Sequence, residues 1–332
     1  MPEKWTPRAV HELAWGFQKA CVVTAAAELD IFSIIAGGHH HPDEVSKKLG
    51  ADQRATTVLL DALAAIGLLT KSNGSYRLKE EVAEVLTPEG RQSMFSMVRH
   101  LGRCLRRWAQ LTSVVVKGGP ADQVPSILCP DEELAAFIEA MHEISAPMAD
   151  GLVAELGPPS FTHLLDIGGG SGTWTLAFLR AVPGASATLF DLPEVVRFAR
   201  RRLADAGMTD RATVVAGDYL AEPLPQGADL VWLSAILHQN SQDENRRLLA
   251  KVRDALAPGG RVLIRDVVME PDRVRPPFGA LFAVNMLVNT RGGGTYTFEE
   301  IAGWLTEAGF EEPRLVRRDE GMNSVVEARV AD

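Results

Sequence analysis

Apolar residues recur at helical spacing through the first third of the chain. The segment AVHELAWGFQKACVVTAAAELDIFSIIAG predicts one or two apolar helices that end at a double glycine. HPDEVSKKLG predicts a short helix from near Pro42 to Gly50, and DQRATTVLLDALAAIGLL predicts another. In TKSNGSYRLKE, Asn73 and Gly74 lie between two short alternating stretches, which predicts a tight hairpin. Helices followed by a hairpin predict a winged-helix domain over residues 1–95.

The helical pattern continues from about residue 91 to residue 157 and is clearest in DEELAAFIEAMHEISAPMADGLVAEL. Pro147 cannot donate a backbone hydrogen bond, so we expect it to interrupt this helix. The turn-forming stretch GPPS closes the helical region. We therefore assign residues 96–157 to a helical linker.

From residue 161 the pattern changes to alternating strands and helices. Strands THLLDI, SATLFD, ATVVAGD, ADLVWLSAIL and RVLIRDVV are interspersed with helices TWTLAFLRAV, EVVRFARRRLADAG and QDENRRLLAKVRDALA. This order is typical of a parallel sheet covered by helices on both faces. After helix TFEEIAGWLTEAGF, the segment PRLVRRDEGMNSVVEARV predicts two antiparallel strands joined by a tight turn. The predicted fold class is α/β, with a mostly parallel, Rossmann-like sheet over residues 158–332 that ends in an antiparallel strand.

Composition and charge narrow the possible functions. The 332-residue chain has a net charge of −9, with 46% hydrophobic and 23% charged residues, which is typical of a folded globular protein. The acidic excess argues against the phosphate backbone of nucleic acid as the main partner. Charges across the predicted winged helix nearly cancel, whereas a DNA reader has a basic face.

The cysteine and hydropathy patterns predict a cytoplasmic protein. Cys21, Cys104 and Cys129 are widely spaced and form no disulfide or zinc pattern. The first 20 residues are charged, and no stretch approaches 18 uninterrupted apolar residues, so neither a signal peptide nor a membrane span is predicted. No metal site is predicted, because the adjacent histidines of GGHHHP cannot readily converge on one ion.

The glycine-rich segment LLDIGGGSGTW lies between the first strand and first helix of the predicted sheet. Gly168, Gly170 and Gly172 allow a tight bend and the close approach of a ligand, at the edge where doubly wound sheets bind ligands. The dinucleotide fingerprint would need a glycine at Thr173, so a nucleotide without a pyrophosphate fits better. Asp191 ends the second strand, where it can accept hydrogen bonds from a ribose diol. The alternative is a turn that serves packing alone.

The motifs LLDIGGGSG, LFD, VAGD, LHQNSQDENRRLLAKVRDALAPGGRVLIRD and GFEEPRLVRR follow one another in a recognisable order. Over almost its whole length the chain resembles the S-adenosylmethionine-dependent O-methyltransferases of the plant caffeate and bacterial hydroxyindole type. The resemblance implies a class I methyltransferase domain, S-adenosylmethionine as cofactor, S-adenosylhomocysteine as product and a small-molecule acceptor. It also implies a homodimer formed through the winged helix, with no metal, nucleic acid or membrane partner.

Carried over to this sequence, the resemblance implies a cofactor site. Gly168 and Gly170 would contact the methionine end. Asp191 would bind the ribose hydroxyls and Asp218 would approach the adenine amine, with Tyr219 packing beside it. Asp218 could instead cap the turn after the third strand. The full implied set is Asp166, Gly168, Gly170, Gly172, Asp191, Leu192, Gly217, Asp218, Tyr219 and Ser234.

A histidine stands at the end of the apolar fourth strand. His238 follows ADLVWLSAIL directly, and Ser241 with Glu244 forms a capping box that begins the next helix. In the resembling family a histidine here is the general base that takes the proton from the acceptor hydroxyl. Asp266, at the end of a neighbouring parallel strand, occupies the position of the carboxylate that orients it. The alternative is a histidine whose nitrogens are satisfied by the backbone.

Three positions depart from the plant pattern. Gln239 and Asn240 stand where the plant enzymes have aspartate and tryptophan, and Thr295 stands near their second glutamate, which leaves one orienting carboxylate. Relatives with this fold include proteins that catalyse hydroxylation or decarboxylation, so non-methylating chemistry stays an alternative. A cofactor-sensing winged-helix regulator is a second alternative.

Apolar and amide side chains around residues 100–150 and 278–290 predict a pocket for a flat aromatic or polyketide-like hydroxyl. The adjacent residues Asn285 and Met286 are the strongest pair, because bacterial relatives carry Asn-Met at this point and the amide could hydrogen-bond an acceptor. Each candidate could instead be an ordinary core residue. The candidates are Trp108, Phe137, Met141, His142, Phe282, Asn285, Met286 and Asn289.

Overall fold

The computed structural model describes residues 4–120, 131–157 and 160–331, so Cys129 and part of the predicted GPPS turn lie outside the described residues. The chain forms two compact units, Met1–Arg106 and Arg107–Asp332. The division falls within a helix, and the predicted three-part division at residues 95 and 157 stays a prediction. Across the described helices, none is long and apolar enough to cross a membrane.

The first unit is helical with one hairpin. Its β1 and β2 pair antiparallel, and Asn73 and Gly74 both have positive φ angles, 48° and 76°, as a two-residue type I′ turn requires. The hairpin prediction is confirmed. The elements are α1 (Pro7–Trp15), α2 (Phe17–Glu28), α3 (Ile31–Ala36), α4 (Pro42–Leu49), α5 (Gln53–Ala65), β1 (Leu69–Ser72), β2 (Ser75–Leu78), α6 (Glu80–Leu86) and α7 (Phe95–Trp108).

The prediction of one or two helices at the start of the chain is wrong, because three helices are present. Asp30 takes a left-handed conformation, φ 54°, between α2 and α3 and so ends the helical path. Apolar periodicity continues across this break because Ala27 of α2 and Ile31 and Ile35 of α3 fill the same core. Periodicity alone therefore concealed the boundary. The short helix α6 was not predicted.

The second unit alternates strands and helices around a seven-stranded sheet, and Val268–Met269 and Tyr296–Thr297 pair in a separate two-stranded parallel sheet. Its strand order is β10-β11-β7-β6-β3-β4-β5, in which β7, β6, β3, β4 and β5 are parallel and β10 and β11 antiparallel. The elements are α8 (Leu111–Lys117), α9 (Asp131–Glu155), β3 (His163–Ile167), α10 (Thr173–Ala181), β4 (Ser186–Asp191), α11 (Val196–Asp205), β5 (Ala212–Ala216), β6 (Ala228–Ser234), α12 (Gln242–Ala255), β7 (Leu256–Asp266), β8 (Val268–Met269), α13 (Pro277–Asn289), β9 (Tyr296–Thr297), α14 (Phe298–Glu307), β10 (Glu311–Arg317) and β11 (Ser324–Arg329).

The sheet reverses its direction of growth at β3. The chain adds β4 and β5 on one side of β3 and then crosses to add β6 and β7 on the other. Side chains are buried on both faces of β3, Leu165 in one core cluster and Leu164 in another. A crevice forms at the carboxyl ends of strands where such an order reverses, which places the candidate site after β3 and β6. The predicted α/β fold class is confirmed.

Three local predictions are wrong. Helix α9 runs through Pro147 without interruption, because Ala149 and Val153 beyond it are buried in the core, and this burial offsets a lost backbone hydrogen bond. Strand β6 ends at Ser234, three residues early, because Ala235 adopts a positive φ of 59°. A loop of residues 318–323, rather than a tight turn, joins β10 to β11.

Candidate active site

Residues 168–172, the glycine turn, join β3 to α10. Gly168, Gly170 and Gly172 have φ angles of 67°, 55° and 78°, in the left-handed region that favours glycine. A Cβ on Gly168 would lie 2.4 Å from the side chain of Ile236. Glycine at this position therefore allows the backbone to pack closely against Ile236. A Cβ on Gly170 would meet no atom of the described residues within 4 Å, so Gly170 presents open backbone to the crevice.

Two buried carboxyl groups lie beneath this turn. Asp191 accepts hydrogen bonds from the backbone N–H groups of Gly170 and Leu192, each 2.7 Å, and burial raises its pKa to about 6. Asp166 accepts a 2.6 Å bond from the Thr175 hydroxyl, and burial raises its pKa to about 7. Asp191 therefore ties the glycine turn to β4, and Asp166 ties β3 to α10.

At the predicted adenine end of the cofactor site, the side chains of Asp218 and Tyr219 form hydrogen bonds within the protein. The carboxylate of Asp218 accepts a 2.8 Å bond from the N–H of Leu220, so the turn-capping contact is present. The Tyr219 hydroxyl donates to Asn240 at 3.2 Å. A Cβ on Gly217 would lie 2.5 Å from the Phe190 ring, so packing requires glycine there.

Arg265 is a buried cation that sequence analysis missed. Its guanidinium donates to Ser234 Oγ at 3.0 Å and to the side-chain oxygen of Asn323 at 2.9 and 2.7 Å. It lies 4.7 Å from the Trp174 ring centre. Burial lowers the pKa of Arg265 to about 10. The Ser234 hydroxyl, which was predicted to bind the cofactor, therefore accepts a hydrogen bond from a residue of β7.

His238 and Asp266 meet as the strand order predicts. His238 lies in the short 3-10 helix Leu237–Gln239 after β6, and Asp266 is the last residue of the adjacent strand β7. His238 Nδ1 is 2.8 Å from Asp266 Oδ1, and the His238 backbone N–H donates to Asp266 Oδ2 at 3.2 Å. The N–H of Val267 donates to Oδ1 at 2.8 Å. Both side chains are buried, with 7% and 2% of their residues' surface exposed.

Helix α13 places an aromatic side chain against this histidine. The Phe282 ring meets the His238 ring edge to face, with centres 4.9 Å apart, and Phe278 stacks on Phe282 at 5.6 Å. Phe278 was not predicted, although it stands one helical turn before Phe282 and is partly exposed. Met286 on the same helix is buried, with 6% exposed.

A hydrogen-bonded network holds the amides of α13. Asn285 Oδ1 accepts from Trp108 Nε1 at 2.9 Å and from Asn289 Nδ2 at 3.0 Å. Asn289 Oδ1 in turn accepts from Arg107 at 2.6 Å. The structure therefore brings together three predicted acceptor residues, and Arg107, which sequence analysis missed, joins them.

The remaining predicted acceptor residues are on α9. Phe137 packs in a cluster with Leu192, a predicted cofactor residue. His142 Nδ1 is 2.8 Å from the hydroxyl of Thr173, the first residue of α10. Met141 is half-buried on the same helix. The structure thus places Phe137 and His142 beside elements assigned to the cofactor.

The glycine turn and the buried pair of His238 and Asp266 thus lie at the same edge of the sheet, after the parallel strands β3, β6 and β7. Residues 126–311 match the O-methyltransferase domain model and residues 11–89 the O-methyltransferase dimerisation domain model. The chain is 36% identical to 3-hydroxy-5-methyl-1-naphthoate 3-O-methyltransferase of Streptomyces sahachiroi, over 98% of this chain and 96% of that protein. It is 29% identical to the tetracenomycin polyketide synthesis 8-O-methyl transferase TcmO of Streptomyces glaucescens, over 93% and 92%.

Solved structures agree. Human N-acetylserotonin methyltransferase in complex with SAM superposes with a TM-score of 0.83 at 26% identity over both full lengths. PigF with SAH superposes with a TM-score of 0.89 at 26% identity, over 98% of this chain and all of that one. The chain belongs to the O-methyltransferase family, and its cofactor is S-adenosylmethionine.

Proposed function

We propose that this enzyme methylates a hydroxyl group of a small aromatic or polyketide-like acceptor, with His238 as the general base. The single observation that carries the proposal is the buried pair of His238 and Asp266 at the carboxyl edge of the sheet. Taking a proton from a phenol makes its oxygen a far better nucleophile, and a positioned base contributes typically 10²–10⁴-fold to such a step.

The contacts of Asp266 support one tautomer of the His238 ring. Its two oxygens accept three N–H groups, from the His238 backbone, the Val267 backbone and the His238 ring. Because a carboxylate only accepts, the ring proton is on Nδ1. Nε2 is then the unprotonated nitrogen that takes the hydroxyl proton from the acceptor.

The glycine turn fits the cofactor. Gly170, where a Cβ would meet no described atom, would contact the methionine end, and Asp191 at the end of β4 would accept the ribose hydroxyls. Asp218 would approach the adenine, with one oxygen still capping its own turn. When bound, the cofactor supplies an electrophilic methyl group on a sulfonium ion. The protein positions the acceptor oxygen, and His238 removes the proton of the acceptor hydroxyl.

The aromatic surface of α13 supports a flat acceptor. The Phe282 ring packs against His238, and the Phe278 ring stacks on Phe282. The aromatic ring of an acceptor could pack on this surface with its hydroxyl at His238 Nε2. The relatives include one enzyme named for a naphthoate, a fused aromatic ring system, and one named for a tetracenomycin polyketide. Asn285 and Asn289, held by Trp108 and Arg107, would then orient the polar groups of the acceptor.

A single carboxylate, that of Asp266, would orient His238 in this enzyme. Thr295 stands where the plant enzymes have their second acid, and it is buried with its carbonyl oxygen accepting a 3.0 Å bond from Arg273. Two of the three N–H contacts on Asp266 hold the backbone and the ring of His238. A second acid is not needed to fix the orientation of the ring.

Methyl transfer from labelled S-adenosylmethionine to a panel of hydroxyaromatics and sugars tests this function. We expect methylated phenols and one S-adenosylhomocysteine per product. Activity on sugars alone would contradict the acceptor class. Cofactor binding without methyl loss during turnover of an acceptor would favour the non-methylating alternative.

We further propose that the enzyme is a homodimer formed through its first unit, and that it is cytoplasmic. Helix α1 is exposed along almost its whole length, and Trp5, Leu13, Trp15 and Phe17 are more than half exposed. Apolar side chains grouped in this way favour burial against another copy. The match of residues 11–89 to the O-methyltransferase dimerisation domain supports this assembly, and the reduced thiol of Cys21 supports the location.

A further inference from the structure

A chain of three polar side chains connects α9 to the glycine turn. His142 Nδ1 is 2.8 Å from Thr173 Oγ1, and Thr173 Oγ1 is 2.7 Å from Ser171 Oγ. Ser171 and Thr173 are both buried, with 5% and 7% exposed. His142 and Ser171 are thus each within hydrogen-bond distance of the Thr173 hydroxyl, and a polar group left without a hydrogen bond in this buried region would be costly.

Ser171 and Thr173 stand on either side of Gly172, which has a left-handed backbone. On the opposite side of the turn, Asp191 accepts from the N–H of Gly170. The glycine turn is thus held from β4 by Asp191 and from α9 by His142. A turn held in its bound shape binds a ligand more tightly, because less conformational freedom is lost on binding.

The environment of His142 suits this contact. Burial lowers its pKa, and the nearby Arg202 guanidinium lowers it further, whereas Glu139 acts in the opposite direction. A neutral imidazole has one donor and one acceptor nitrogen, so either can pair with a hydroxyl. Thr173 occupies the place where a dinucleotide fingerprint has glycine, and its hydroxyl is what His142 contacts.

We propose that His142 is a positioning residue for the cofactor: it holds Ser171 and Thr173 so that the glycine turn is preorganised for S-adenosylmethionine. This inference rests on the proposed function, in which that turn binds the cofactor. It assigns His142 to the cofactor side of the site, whereas the sequence placed it among the acceptor contacts.

Matched variants test the assignment. His142→Leu removes the contact, His142→Asn retains a polar atom near the position of Nδ1, and Thr173→Val removes the hydroxyl partner with little change of shape. The dissociation constant of S-adenosylhomocysteine, measured by calorimetry, is compared with the KM of a phenolic acceptor. We expect His142→Leu and Thr173→Val each to weaken cofactor binding roughly 3- to 10-fold, the range for one hydrogen bond. His142→Asn should restore binding to about twofold of wild type, with the acceptor KM unchanged in all variants.

The double variant separates positioning from independent effects. His142→Leu with Thr173→Val should bind cofactor no more weakly than Thr173→Val alone, because loss of the Thr173 hydroxyl already removes its contact with His142. Additive losses, unchanged cofactor binding in the single variants, or an increase in acceptor KM alone would each overturn the inference. If His142→Leu does not fold, Thr173→Val decides the question. Wild-type protein that fails to bind S-adenosylhomocysteine would instead contradict the proposed function itself.

Discussion

Replacing His238 with alanine tests the proposed chemistry most directly. The change removes the nitrogen that takes the acceptor proton, so we expect kcat to fall roughly 10²- to 10⁴-fold, equivalent to about 3–6 kcal/mol of transition-state free energy. Cofactor affinity should stay near that of wild type, because the contacts of the His238 side chain are with Asp266 and Phe282.

The structure also bounds the effect of this change on folding. In the alanine variant Asp266 keeps two of its three donors, the backbone N–H groups of residue 238 and Val267. The free energy of unfolding should therefore fall by about 1–3 kcal/mol, from a lost hydrogen bond and a small cavity. A loss of activity much larger than this cannot be explained by unfolding, and a thermal melt measures the difference. Gln239→Ala, an exposed neighbour, is the matched control.

Varying the acidity of the acceptor hydroxyl tests directly whether His238 acts as a base. A phenol and an imidazole differ by about 3.5 pKa units, or roughly 5 kcal/mol for complete proton transfer in water. An acceptor that ionises near pH 7 needs little help from a base. Product formation by mass spectrometry should therefore show a large defect with ordinary phenols and a defect at least tenfold smaller with an acidic phenol. Equal defects with both acceptors, or retained activity with the ordinary phenol, would refute the general-base role.

Further predictions concern four other positions. Asp266→Asn offers one acceptor oxygen to three N–H groups, so kcat should fall roughly 10²-fold or more in steady-state assays; a loss below threefold would contradict its role. The pKa of Asp191 is raised to about 6, so S-adenosylhomocysteine affinity measured by calorimetry should weaken as the pH falls from 7 to 5; Asp191→Asn should remove that dependence. Burial raises the pKa of Asp166 from 3.8 to about 7, so its charge costs the folded state up to about 4 kcal/mol above pH 7, and the cost vanishes as the pH falls towards 4. Asp166→Asn should therefore raise the melting temperature at pH 8 and not at pH 4. Leu13→Asp, with Glu12→Ala as control, should convert a dimer to a monomer in sedimentation at micromolar concentration; a wild-type monomer would contradict the dimer.

Local sequence chemistry determined much of the fold. Asn73 and Gly74 predicted the hairpin because both residues tolerate a positive φ. The capping box of Ser241 and Glu244 predicted the start of α12, and its reciprocal hydrogen bonds are present. These signals depend on residues a few positions apart, so they survive in the sequence alone.

The proximity of His238 and Asp266 was also predictable, although 28 residues separate them. Parallel neighbouring strands end at the same edge of a sheet, so two polar residues that follow such strands are brought together by topology. The same rule placed the glycine turn and Asp191 side by side.

Only tertiary packing decided the remaining features. The burial of Ala149 and Val153 carries α9 through Pro147, which local rules treat as a break. The contact between His142 and Thr173 joins two helices whose relative positions no periodicity specifies, and the same is true of Arg107 and Asn289. The sequence by itself therefore determined most of the elements, the mostly parallel sheet and the edge at which His238 meets Asp266. Which side chains of the surrounding helices meet that edge depends on long-range packing, because such contacts exist only once the helices are in place.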